Sequence, residues 1–430
     1  MSIDIAQSTR TLFEDLEWRG LISQTTDRQA LMSDLSEKPR SFYIGFDPTA
    51  PSLHVGNLVV LLVMRRFQLA GHIPLPLVGG ATGLVGDPSG RNEERSMNDS
   101  AVVAEWVGRI RTQLEKFLTF SGPNAATMTN NLDWTAPMSA IEFLRDIGKH
   151  FSVNQMLAKD SVSSRLESGG ISYTEFSYQV LQGMDFLELY RRHDCILQLG
   201  GSDQWGNIIA GLDLIRKVDQ GSAHAFTIPL MAKSDGSKFG KTASGAIWLD
   251  PEMTSPYAFY QFWVNAEDAD VVNFLKVFSF KERSKIERLA LTVESNPGAR
   301  EAQRELAREL TTLVHGADAC EKVEAASKAL FGQGELSELD EATLAAALSQ
   351  LPKTTINRSE EFPTWVDLLT ATGVVASKSA ARRIVSENGA YLNNTKIAGE
   401  HFAPTQADLI HGRFLVLRKG KRDLASVEVV

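Results

Sequence analysis

Two side chains able to hold an anion, His54 and Asn57, stand three residues apart in SLHVGNLVVLLVMRRFQLAG. If the apolar stretch is a helix, as its length and closing Ala70-Gly71 suggest, the pair shares one face of the first turn. Free N–H groups and the helix dipole favour negative charge there, so the pair could meet phosphate oxygens. Far along the chain, Lys238 and Lys241 lie three apart in the Gly- and Ser-rich GSKFGKT and could supply cations to the same target. Together these groups suit a reaction in which charge grows on a triphosphate. Each has an ordinary alternative: His54 as a helix cap, the lysines as a solvated loop, GGSDQWGN as a turn into a helix. Their combination in this order and spacing argues against accident.

The elements that must position these groups alternate. FYIGFD reads as a buried strand that breaks at Asp47-Pro48, and LHVGNLVVLLVMRRFQLA, IPLPLVGGATG and AVVAEWVGRIRTQLEKFL continue as helix, strand and helix; CILQLGGSD and QWGNIIAGLDLIRKV repeat the pattern. Such alternation predicts an α/β fold, a Rossmann-like parallel sheet with crossover helices and ligands at the carboxyl ends of strands. FDPTAPS and GGATGLVGDPSG both fall at such ends. The expected organisation is a first domain over 1–228, the lysine loop region over 229–255, a helical domain over 256–331, a polar and acidic linker over 332–362, and a small C-terminal α+β unit over 363–430.

With 43 % hydrophobic and 23 % charged residues in 430, the chain has the composition of an ordinary soluble protein of two or three domains. The longest apolar run, Leu58 to Met64, stops at Arg65-Arg66, far short of the roughly 20 residues of a membrane span. The N-terminus lacks a secretory pattern, and Cys195 and Cys320 make neither a disulfide framework nor a zinc site, which suits a cytoplasmic location with no membrane partner. A net charge of −9 speaks against nucleic acid, but from Lys353 to Val430 there are 11 Lys and Arg against 8 Asp and Glu, so the basic character sits in the tail. The glycines at 79, 80, 83, 86 and 90 do not fit a dinucleotide fingerprint, and GSKFGKT has three residues between its glycines where a P-loop needs four.

SLHVGN resembles the HIGH signature and KFGKT the KMSKS signature of class I aminoacyl-tRNA synthetases. YIGFDPTAPSLHVGN, GGATGLVGDPSG, TEFSYQVLQGMDF and LGGSDQWGN resemble the tyrosyl-tRNA synthetases of the bacterial type, over most of residues 41 to 265. The tail resembles a small RNA-binding module also found in a ribosomal small-subunit protein, the S-four type. The resemblance implies activation of tyrosine by ATP to tyrosyl-adenylate and pyrophosphate, then transfer to the 3′ end of a cognate tRNA, in a homodimer. ATP would be a substrate accompanied by Mg²⁺, with no dedicated protein-ligated metal.

By the same resemblance His54, Asn57, Lys238, Lys241, Thr242, Arg91 and Arg95 would serve the phosphates and the departing pyrophosphate. Tyr43, Asp87, Asn130, Tyr178, Gln182 and Asp185 would hold tyrosine; Asp47, Gly56, Gly200, Asp203, Gln204 and Lys241 would line the nucleotide site. The spacing of Tyr178, Gln182 and Asp185, by four and then three, lines one helix face. Tyr178 and Gln182 would bind the ammonium group, Tyr43 and Asp185 the phenolic OH. In the tail, Lys378, Arg382 and Arg383 on an expected helix, and Arg418, Lys419, Lys421 and Arg422 after a strand, would bind tRNA phosphates. Two departures stand out. Asn57 replaces the second His of the signature, and Ile44 stands where some relatives have Cys facing the ribose. Two competing readings are a relative that activates tryptophan or another amino acid, disfavoured by Asp185 and Tyr43, and an RNA-binding structural protein or splicing helper that kept the fold, disfavoured by intact HVGN and KFGKT.

Overall fold

Strand β2 (Ser41–Phe46) takes its place because Phe42, Tyr43, Ile44 and Phe46 are all buried, the pattern of a strand covered on both faces. A computed structural model of the chain describes residues 4–89, 98–159, 162, 163, 166, 170–236, 239–242, 245–358, 361–420 and 422–430. β2 pairs in parallel with β3 (Ile73–Val78) on one side and β5 (Cys195–Gly201) on the other. With β1 (Gln24–Thr25), β4 (Thr129–Asn130) and β6 (His224–Ile228) the sheet runs β1-β6-β5-β2-β3-β4, and β1 alone is antiparallel to its neighbour. Strand succession therefore reverses between β2 and β5, the place where open parallel sheets bind ligands.

Between β2 and β3 runs the helix Val55–Leu69, two residues inside the expected start, with His54 as its N-cap. The helix Tyr173–His193 leads into β5 through Asp194, a left-handed stop at φ 48° preceded by Arg191, Arg192 and His193, cations that suit its C-terminal end. The helix Trp205–Asp219 joins β5 to β6. This is the parallel α/β fold expected, and no helix among the described residues is long and apolar enough to cross a membrane.

The division into bodies differs from the expected bounds. One compact unit contains Met1–Met253 with Glu267–Pro297; the other contains Thr254–Ala266 with Gly298–Val430. The expected helical domain over 256–331 is thus split between them, because amphipathic periodicity announces a helix without saying which body buries its apolar face. In the second unit Arg300 donates to the carbonyl of Val264 at 2.8 Å and Phe259 meets His315 edge to face, which ties the helix Pro256–Val264 to Glu301–His315.

The segment 332–362, expected as a linker, carries the helix Glu341–Leu348 and strand β9 (Lys353–Ile356). β9 pairs in parallel with the last strand, β13 (Asp423–Val429), in a sheet that also holds β10 (Ala390–Leu392), β11 (Thr395–Lys396) and β12 (Phe414–Lys419). KTTI is too short and polar to announce a strand; its partner 73 residues on makes it one.

Candidate active site

His54 is a cap and more. Its Nδ1 accepts the backbone N–H groups of Gly56 and Asn57 at 3.0 and 3.3 Å, while Asn57 Oδ1 accepts the His54 N–H at 3.1 Å. This reciprocal box satisfies orphan donors of the first turn. With Nδ1 accepting, the neutral ring carries its proton on Nε2 and is a donor there. The imidazole lies against residue 56, where a Cβ would sit 2.8 Å from His54 Cε1, so glycine is required. Asn57 spends its oxygen on the cap and keeps Nδ2 as a donor. The pair therefore acts as two fixed donors at a helix N-terminus.

A chain of buried hydrogen bonds runs behind the carboxyl ends of β2 and β3. Tyr178 OH donates to Asp47 Oδ2 at 2.6 Å, and Thr82 Oγ1 donates to Asp47 Oδ1 at 2.7 Å. Asn131 Nδ2 donates to Thr82 Oγ1 at 2.9 Å and to Asp185 Oδ2 at 3.0 Å, and Trp134 Nε1 donates to Asp185 Oδ1 at 2.8 Å. Burial raises the Asp185 carboxyl to about 7 against the pull of those two donors. Burial, then the neighbouring Asp185 and Cys195, hold the Tyr43 phenol well above its ordinary range. Burial and the Asp47 and Asp87 carboxylates do the same to Tyr178. Both phenols stay protonated.

These groups open on a cavity of about 570 Å³ lined by Tyr43, Asp47, His54, Gly56, Asn57, Asp87, Tyr178, Gln182, Asp185, Gly200, Asp203 and Gln204, all expected at the site. Ile44 lines it as well. Three polar atoms on its wall, Tyr43 OH, Gln182 Oε1 and Gln198 Oε1, are buried without a hydrogen-bond partner. Such atoms cost stability unless a ligand meets them. At the other end Asp87 Oδ2 accepts from Gln204 Nε2 at 2.7 Å and Oδ1 from the Ser89 N–H at 2.9 Å, which fixes the carboxylate.

Asn130 is placed differently from the other residues expected to hold tyrosine. Its Oδ1 accepts the Leu132 N–H at 3.0 Å, and the residue is not on the cavity wall; Asn131 makes the contact with Asp185 instead. Thr82, Trp134 and Gln198 were also not foreseen. Only Gln198 left a trace in the sequence, as a lone polar residue inside the apolar strand CILQLGG.

KFGKT reaches the site through its neighbours. Phe239 and Gly240 line the cavity, and Lys241–Thr242 (β7) forms a short strand paired with Gly245–Ala246 (β8). The Ile247 carbonyl accepts the Val55 N–H at 3.0 Å, stitching this hairpin to the start of the His54-capped helix. Arg91, Arg95 and Lys238 lie outside the described residues, as does Lys421 in the tail. Lys378 pairs with Asp367 at 2.6 Å, Arg382 with Glu400 at 3.4 Å, Arg383 with Glu387 at 3.5 Å and Lys419 with Asp423 at 3.0 Å; Arg418 lies 3.9 Å over the Tyr391 ring. Arg422 is exposed beside the β12–β13 turn. The surface pairs are weak and exchangeable for phosphate.

Residues 35–332 match the family model for tRNA synthetases class I (W and Y), and residues 343–427 match that of the tyrosine–tRNA ligase SYY-like C-terminal domain. The chain is 62 % identical over 420 residues to a tyrosine–tRNA ligase of Streptomyces griseus, covering 97 % of this chain and 98 % of that one. It is 56 % identical over 421 residues to a tyrosine–tRNA ligase of Acidothermus cellulolyticus, covering 97 % and 99 %. A solved structure of a C-terminally truncated Aspergillus nidulans mitochondrial tyrosyl-tRNA synthetase superposes with a TM-score of 0.68 at 33 % identity, over 76 % of this chain and 97 % of that one.

Proposed function

The chain belongs to the class I tRNA synthetases of the tryptophan and tyrosine type, and we infer that within them it is a tyrosine–tRNA ligase. It activates L-tyrosine with ATP to tyrosyl-adenylate and pyrophosphate and then transfers tyrosine to the 3′ end of its tRNA. The tyrosine assignment rests on one observation above others: Tyr43 OH, buried and unpartnered, beside Asp185, whose two oxygens are each fixed by a donor. A phenolic substrate satisfies both, donating to Asp185 and accepting from Tyr43; an indole N–H would leave Tyr43 unmet.

The remaining contacts follow from each donor's spare capacity. Tyr178 OH gives its proton to Asp47, so its oxygen is free to accept from the substrate ammonium, and the unpartnered Gln182 Oε1 and the carboxylate of Asp87 are suited to the other two N–H groups. The carboxylate of tyrosine attacks the α-phosphate directly, so no protein nucleophile is needed. Alignment and charge stabilisation supply the catalysis. His54 and Asn57 would donate to phosphate oxygens from the helix N-terminus, and Lys241, with Lys238, Thr242, Arg91 and Arg95, would meet the pyrophosphate. Mg²⁺ arrives on ATP.

Tail cations would hold tRNA phosphates, and a homodimer is supported by apolar side chains left exposed within one stretch, Ile141, Leu144, Val153 and Leu157. A cytoplasmic location completes the reading. Exchange of labelled pyrophosphate into ATP, dependent on tyrosine and not on tryptophan or phenylalanine, is the decisive assay. Equal exchange with tryptophan would overturn the tyrosine assignment.

A further inference from the structure

The helix Asp268–Phe278 presents Asp270, Phe274 and Phe278 at intervals of four, which places them along one face. That face meets the lysine loop at two points. Asp270, itself buried, accepts the backbone N–H of Ser234 through Oδ1 at 2.9 Å. Phe239 packs edge-on to Phe274 with centroids 5.1 Å apart and stacks on Phe278 at 5.3 Å and 27°. One helix face thus grips the chain at 234 and again at 239, two residues before Lys241. Gly240 then turns at φ 76°, where a Cβ would come 2.7 Å from Val55 Cγ2, so the backbone passes directly over the start of the His54-capped helix.

The far end of the same helix is bolted to that second helix. Arg66, in the last turn of Val55–Leu69, donates to the Ser279 carbonyl at 2.5 Å; Arg19 donates to the carbonyls of Lys276, Ser279 and Lys281 at 2.8, 2.9 and 2.8 Å. Both arginines are buried and share Asp15. Cations on the terminal carbonyls of a helix satisfy groups that would otherwise be orphaned. The helix carrying the His54 cap and the helix gripping the lysine loop are therefore parts of one frame.

We propose that Asp270 and Phe239 are positioning residues for tyrosine activation: they set where the chain enters Lys241 relative to the His54 end of the cavity, Asp270 from off the cavity wall and Phe239 through its packing on Phe274 and Phe278. This rests on the reading that Lys241 meets the pyrophosphate. A misplacement of about an ångström at a charge-stabilising group costs up to roughly 100-fold in rate, so Asp270→Ala and Phe239→Ala each lower single-turnover adenylate formation by about 10- to 100-fold. Tyrosine affinity of Asp270→Ala by equilibrium dialysis stays at the wild-type value, since Asp270 is off the cavity wall, and Asp270→Asn, which keeps an oxygen to accept from Ser234, restores most of the rate. In a Lys241→Ala background both substitutions lose their effect. Wild-type rates in Asp270→Ala and Phe239→Ala alongside a slow Lys241→Ala overturn the positioning role alone. A normal rate in Lys241→Ala overturns the pyrophosphate reading beneath it. Loss of tyrosine affinity in Asp270→Ala, or full additivity of either substitution with Lys241→Ala, also overturns the positioning role, since the grip would then serve the cavity as a whole.

Discussion

Asn131 Nδ2 and Asp185 Oδ2 lie 3.0 Å apart, joined across 54 residues of sequence in the buried wall beneath the cavity. The same amide donates to Thr82, and its oxygen accepts the Ala81 N–H at 2.7 Å, so Asn131 has almost no freedom to turn. Asp185 is held in one orientation by a partner that cannot move.

Removing that partner should be felt at the substrate. Asn131→Ala is expected to weaken tyrosine binding by about 1.5 to 3 kcal/mol, the range for a hydrogen bond to a charged group. Asn130→Ala, whose side chain caps the Leu132 N–H outside the cavity, should have a much smaller effect. Equilibrium binding of tyrosine to the two variants checks the order.

Tyr43→Phe separates function from stability. The hydroxyl is buried without a partner, so its loss should leave the melting temperature of the free protein unchanged or raise it. The ratio of kcat/KM for tyrosine over phenylalanine should nevertheless fall, by about 0.5 to 1.5 kcal/mol for one neutral hydrogen bond. Asp185→Ala should cost far more, because pockets built to hydrogen-bond a hydroxyl reject analogues lacking it, tyrosine-specific synthetases being the standard illustration of the rule. An unchanged ratio in Tyr43→Phe would remove Tyr43 from phenol recognition.

A pH profile follows from Asp185. The ionised carboxylate is the form that accepts the phenolic proton, and its pKa is raised to about 7. Discrimination against phenylalanine should therefore fall as pH drops through that value, by roughly tenfold per unit once the group is mostly protonated. The stability of the free protein runs the other way. The folded state keeps this proton up to about pH 7 and the unfolded chain releases it near 3.8, so the group's contribution is full below 3.8 and lost as pH rises through 7. Asp185→Asn should abolish both trends, read as kcat/KM ratios and melting temperatures from pH about 5 to 8.

The tail predicts a salt signature. Arg382 and Arg383 make exposed pairs with Glu400 and Glu387. Replacing either by Ala should weaken tRNA binding and lower the slope of log Kd against log salt by about one. A slope identical to wild type in both variants would show that this helix face does not carry phosphate.

What the sequence determined by itself was everything that depends on local period. The alternation of FYIGFD, LHVGN and their successors specified a parallel sheet, because buried strands and amphipathic helices differ in the spacing of apolar residues. The four-and-three spacing put Tyr178, Gln182 and Asp185 on one helix face, and the i, i+3 spacing put His54 and Asn57 in one cap. Contacts between distant segments left no such mark. Asn130 and Asn131 are indistinguishable as letters, and only the path of the chain after β4 turns the second one toward Asp185. Lys353–Ile356 became a strand because β13 offered it an edge, and the helix Asp268–Phe278 joined the first unit while Pro256–Val264, just before it, joined the second. Each of these outcomes is set by which surfaces meet once the chain is compact, since burial and hydrogen-bond partners are properties of the packed chain and not of any stretch within it.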